Sequence, residues 1–98
     1  MSTLSYRKLS DQEISSFFAD VPYWSIENGA LARCFSFESY ASGLAFASAV
    51  GYAADKLNHH PDIQIGFGMV RVSMVTHDAE GGLTAYDFEL AKRINTFA

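Results

Sequence analysis

The stretch Ile63-Gln64-Ile65-Gly66-Phe67-Gly68-Met69-Val70-Arg71-Val72-Ser73-Met74-Val75-Thr76-His77 decides the fold. Apolar residues alternate on both sides of Gly68-Met69, and Gly at the first central position suits a type II′ turn. Ile63 to Phe67 and Val70 to Thr76 therefore read as antiparallel strands. The turn sets a register in which Phe67 pairs with Val70, Ile65 with Val72 and Ile63 with Met74; stepping outward, His60 meets His77. One bulge would move that pairing by a residue.

A second hairpin lies upstream. Trp24 to Glu27 and Leu31 to Phe37 flank Asn28-Gly29, a pair that tolerates the positive φ angles of a type I′ turn. With those two residues as the turn, Ile26 faces Leu31 and Trp24 faces Arg33, and Phe35 and Phe37 continue the same face. Arg33 is the odd member, read as an aliphatic stem over Trp24 with its guanidinium in water.

Between the hairpins, Ser39 to Leu57 has a helical pattern with two apolar stripes, Phe46, Val50, Ala53, Leu57 and Leu44, Ala47, Gly51, Ala54. One sheet covers one stripe. The second is made mostly of small residues, so a helix of another subunit is its natural cover, ahead of burial within the monomer. Ser10-Asp11-Gln12-Glu13 is a capping box with Leu9 and Ile14 at the staple positions, and Ile14, Phe17, Phe18 and Val21 make the buried face of a first helix ending at Pro22. Thr84-Ala85-Tyr86-Asp87 opens a last helix, with Leu83 and Phe88 as its staple and a stripe from Leu90 through Ala98. Before it, His77 to Gly82 reads as a flexible loop whose glycines admit a close neighbour. The order α-β-β-α-β-β-α predicts an α+β fold: a four-stranded antiparallel sheet with helices packed on one face, as a single domain over residues 1–98.

Composition narrows the function. With 49% apolar and 18% charged residues the chain is globular, and a net charge of −4 argues against direct binding to nucleic acid, which depends on clustered Lys and Arg. The lone Cys34 forms no internal disulfide, the N-terminus carries no apolar signal core, and the uncharged run from Ser39 to Ala54 is too short to span a membrane. A soluble cytoplasmic protein is expected.

All three histidines, His59, His60 and His77, fall at the ends of one hairpin. Imidazole both donates and accepts protons near neutral pH, so such a cluster beside a loop suggests acid/base work, with Asp55 four residues before His59 placed to orient a ring. Two other readings stay open. His-His-Pro also ends a helix, because Pro61 disfavours helical geometry at His60, and three histidines could hold a metal, although adjacent ones rarely converge on one ion.

Asp55-Lys56-Leu57-Asn58-His59-His60-Pro61-Asp62, Val70-Arg71-Val72, Thr76-His77-Asp78, Gly82-Leu83-Thr84 and Asp87 with Leu90-Ala91 resemble the pterin-4a-carbinolamine dehydratases, whose animal members also serve as dimerisation cofactors of a homeodomain transcription factor. The likeness extends through Phe35-Ser36-Phe37 and the Leu44 to Leu57 helix back to Trp24. It implies a hydro-lyase that removes water from 4a-hydroxytetrahydrobiopterin to give quinonoid dihydropterin, recycling the pterin cofactor of aromatic amino acid hydroxylases with no cofactor and no metal of its own. It further implies His59, His60 and His77 as catalytic residues, Asp55, Pro61, Thr76, Asp78 and Asp87 as substrate-binding residues, a reduced pterin as substrate, and a homodimer or homotetramer. A non-catalytic assembly or regulatory protein on the same fold is the alternative. Asn58, Ile63 and Tyr86 depart from the family pattern, Tyr86 standing where a basic residue is common.

Overall fold

A computed structural model describes residues 4–98; residues 1–3, the start of the stretch read for a secretory signal, lie outside the described residues. Seven regular elements follow one another: α1 (Asp11–Phe17), β1 (Ser25–Glu27), β2 (Ala30–Ser36), α2 (Tyr40–Leu57), β3 (Asp62–Ile65), β4 (Met69–Met74) and α3 (Ala85–Asn95). Short 3₁₀ turns occupy Phe18–Asp20 and His77–Ala79. The fold is α+β, with one antiparallel sheet in the order β1-β2-β4-β3.

Local chemistry explains most boundaries. Ser10 caps α1, accepting from the Glu13 amide at 3.2 Å while Glu13 accepts from the Ser10 amide at 2.9 Å. α1 stops at Phe17, and a 3₁₀ turn carries the apolar face on to the buried Val21. Asn28 and Gly29 have φ of 52° and 81°, as a type I′ turn requires, and Ile26 pairs with Leu31. α3 ends at Asn95, short of the C-terminus.

The second hairpin differs from expectation. Ile65 pairs with Val70, Ile63 with Val72 and Asp62 with Ser73, so the pairs Phe67–Val70, Ile65–Val72 and Ile63–Met74 do not form. The turn is centred on Phe67-Gly68, closed by the Gly66 amide donating to the Met69 carbonyl at 2.9 Å, and Gly68 lacks the positive φ of a type II′ turn. Gly68 serves a different need. Its carbonyl accepts from the Phe37 amide at 2.9 Å, and a Cβ there would lie 3.3 Å from the Phe37 carbonyl oxygen, so the turn is drawn against the end of β2. A two-residue slip keeps every side chain on its face. Continued outward, this register sets His59 level with Thr76 and His60 level with Val75 instead of His77.

Leu31 and Phe35 of β2 and Val70, Val72 and Met74 of β4 point toward α2 and α3 and meet Phe46, Val50, Leu90 and Ile94. Burying such a side chain contributes about 1.5–3 kcal/mol each. Arg33 does not extend into water as expected: its Nη1 donates to Asn95 Oδ1 at 2.6 Å, and its guanidinium lies 4.3 Å from the Phe35 ring centroid. The same Asn95 oxygen accepts from Trp24 Nε1 at 2.7 Å, tying α3 to the first hairpin.

The two stripes of α2 also fall differently. Ala47 and Ala54 are buried within the monomer because α2 packs on α3 as well as the sheet, while Leu44, Ser48 and Tyr52 remain exposed. Among the described residues no helix is long and apolar enough to cross a membrane.

Candidate active site

At the end of α2, Asn58 adopts the left-handed conformation with φ of 54°, and the His59 amide donates to the Ala54 carbonyl at 3.1 Å. That reversal swings His59 inward, beneath the start of α3, and Pro61 prevents any helical continuation. His59 is only 6% exposed, so most of its ring sits in the wall of the core and only an edge is left to the cleft.

Its partner is Asp87, the third residue of α3. His59 Nε2 lies 2.7 Å from Asp87 Oδ1, and Asp87 is 0% exposed. The other carboxylate oxygen accepts from the Thr84 amide at 2.9 Å and from Thr76 Oγ1 at 2.8 Å. Thr76 thereby spends its single hydrogen on Asp87, so Thr84 Oγ1 donates to Thr76 Oγ1 across 2.8 Å. With two donors already on Oδ2, Oδ1 is the oxygen left for His59, and an ionised carboxylate accepts there from Nε2–H. Among the described residues no fully buried side-chain nitrogen or oxygen lacks a partner, and His59 Nδ1 makes no hydrogen bond, so Nδ1 is the ring atom that reaches the cleft. The capping box of α3 thus holds one imidazole by Nε2 and leaves Nδ1 outward.

His60 is exposed, and its Nε2 lies 3.0 Å from Asp55 Oδ1 one turn back on α2. Such an exposed pair orients the ring and contributes no more than about 1 kcal/mol. His77 opens the 3₁₀ turn His77–Ala79, just after Thr76, whose amide is bound to the Gly82 carbonyl at 2.9 Å. His59, His60 and His77 line one cleft of about 320 Å³ together with Asn58, Thr76 and Asp78. A second depression beside it, lined by Tyr52, Asp55 and Pro61, shares His60, so that ring stands at the divide between the two.

Of the residues expected to bind substrate, Asp78 lines the histidine cleft, and Asp55 and Pro61 line its neighbour. Asp87, also expected to bind substrate, is fully enclosed and meets His59. Thr76 borders the cleft, but its hydroxyl is taken up by Asp87 and Thr84. Tyr6 was not anticipated. Its ring lines the cleft and stacks on Tyr86 at 4.1 Å, and no motif around it signals this. Desolvation first, and then the neighbouring Tyr86, push the Tyr6 phenol above its usual pKa. Among the described residues no three His, Cys, Asp or Glu side chains converge as a metal-ligand set.

Comparison with known proteins shows the family. The family model described as pterin 4 alpha carbinolamine dehydratase matches residues 7–97. A provisionally named pterin-4-alpha-carbinolamine dehydratase from Chloroflexus aurantiacus is 42% identical over 88 residues, covering 90% of this chain and 94% of that one. One of the same name from Sulfolobus acidocaldarius is 38% identical over 88 residues, covering 90% and 96%. The crystal structure of a transcriptional coactivator/pterin dehydratase from Brucella melitensis superposes with a TM-score of 0.84 at 26% identity, covering 92% of this chain and 97% of that one. The matched segment takes in all three histidines, Asp87 and the whole sheet, and the chain belongs to the pterin 4 alpha carbinolamine dehydratase family.

Proposed function

We propose that this protein is a 4a-hydroxytetrahydrobiopterin dehydratase, a hydro-lyase acting by histidine acid/base catalysis. The observation that carries the reading is the convergence of three imidazoles on one cleft, one of them held through Nε2 by a buried carboxylate. In the reaction, His59 Nδ1 takes the N5 proton of the substrate, and the N5–H electron pair becomes the second bond of C4a=N5. The C4a–O bond breaks, and the hydroxyl leaves as water with a proton from the imidazolium of His60 or His77. Asp55, 3.0 Å from His60 Nε2, orients that ring at the cleft edge. Solvent then resets both rings. Each proton transfer supports roughly 10² to 10⁴ in rate, enough for an elimination that already proceeds unaided.

The exposed Leu44 and Tyr52 on α2 favour assembly into a homodimer or homotetramer, and the free Cys34 suits the cytoplasm. A non-catalytic regulatory role is the second reading, favoured by the coactivator designation of the Brucella protein. Stopped-flow dehydration of synthetic 4a-hydroxytetrahydropterin separates the two: a catalyst shortens the lifetime of the carbinolamine, whereas a binding protein leaves it unchanged.

A further inference from the structure

The segment from Leu4 to Leu9 passes the histidine cleft on a path fixed by three contacts. The Leu9 amide donates to the Leu83 carbonyl at 2.8 Å. Arg7 grips both carboxylate oxygens of Glu13, at 3.0 and 2.6 Å. The stem of Lys8 lies over Gly82, where an added Cβ would come within 2.8 Å of Lys8 Cγ and 2.9 Å of Cδ, so a side chain at that position would push the lysine stem aside.

Ahead of these anchors, the Tyr6 ring stacks on Tyr86 with centroids 4.1 Å apart and planes 13° apart, and Tyr86 stands 5.7 Å from the His59 ring. Neither tyrosine belongs to the hydrophobic core, and Tyr6 remains 42% exposed although it lines the cleft. Among the described residues no Lys or Arg side chain lines the cleft. A free aromatic surface beside three imidazoles, with no cation to hold an anionic group, suits a flat, neutral heteroaromatic ring.

We propose that Tyr6 is a substrate-contacting residue: stacked on Tyr86, it forms the aromatic wall against which the flat ring of the substrate lies. This rests on the pterin reading for the identity of that ring. A purely structural Tyr6 would only pin the N-terminal segment. Wild type, Tyr6→Phe, Tyr6→Leu and Tyr6→Ala are titrated with 7,8-dihydropterin, which has no hydroxyl to lose, by protein fluorescence, alongside thermal melts. Tyr6→Phe should bind within about twofold of wild type, while Leu and Ala lose about fivefold or more, on the order of one ring stacking on one aromatic side chain. In turnover the loss appears in KM with kcat little changed. Tyr6→Leu keeps a bulky apolar side chain, so its result decides the matter if Tyr6→Ala loosens the segment. Binding by Tyr6→Leu equal to wild type overturns the role of Tyr6 and leaves the dehydratase reading standing; a wild type that binds no pterin overturns the dehydratase reading itself.

Discussion

Asp87→Asn is the most informative single change, because it keeps shape and alters one proton. The asparagine oxygen can still accept from the Thr84 amide and Thr76 Oγ1, now at 2.9 and 2.8 Å from Oδ2. The amide NH₂ must then face His59 Nε2, 2.7 Å from Oδ1, and two donors cannot share that contact. His59 has to move its proton to Nδ1, and the atom facing the cleft becomes a donor, unable to accept from substrate. The rate should fall by about 10² to 10⁴, the scale of general-base catalysis and of the analogous change in a serine-protease triad. Stability should fall by only about 1–3 kcal/mol, the loss of one charge-assisted bond. Asp87→Ala differs in kind. It strands three donors in the interior at about 1–3 kcal/mol each, which approaches the whole stability of about 5–15 kcal/mol of a small domain. The assays are stopped-flow turnover, melting by circular dichroism, and ¹⁵N NMR of the imidazoles. Turnover of the Asn variant within about twofold of wild type, or wild-type His59 carrying its proton on Nδ1, would refute the reasoning.

His77 is exposed, so His77→Ala should lower turnover at least about tenfold with an unchanged melt; His59→Ala is expected to cost stability too, because it leaves Asp87 buried without its partner. The Arg7 guanidinium, then the Ser10 amide, hold Glu13 down to about 2, so this carboxylate stabilises the fold fully above its unfolded value of about 4.5 and loses that contribution as pH falls toward 2. Acid titration should accordingly show wild type and Glu13→Gln converging in stability over that interval, and a gap constant with pH would contradict it. Gly51 has open space where a Cβ would go, so Gly51→Glu should leave the monomer fold intact while charging the exposed side of α2. Light scattering should then register a smaller species than wild type, and an unchanged mass would show that this side of α2 is no interface.

How much was legible in the sequence depended on how local each cause is. Asn28-Gly29 and the two capping boxes were readable because their residues satisfy one another within four positions. Gly68 misled because its glycine answers to Phe37 on another strand, and turn chemistry alone does not report that contact. The histidine cluster was visible as a cluster. The inward turn of His59 and the buried role of Asp87 were not, since their bond joins residues 28 apart and depends on how α3 docks. Asp87 was recognised as a capping residue, and that bond is present; the same carboxylate also serves His59. Arg33 likewise waited on Asn95, 62 residues away.

The central claim is that the cleft imidazoles catalyse the loss of water from a pterin carbinolamine. The most direct test is the rate constant for decay of 4a-hydroxytetrahydropterin in stopped flow, followed at rising protein concentration from about pH 5 to 9, the range in which imidazoles titrate. The account predicts a rate that climbs linearly with protein, with a slope that traces a bell in pH as base and acid each lose their working form. A slope of zero at every pH would contradict it.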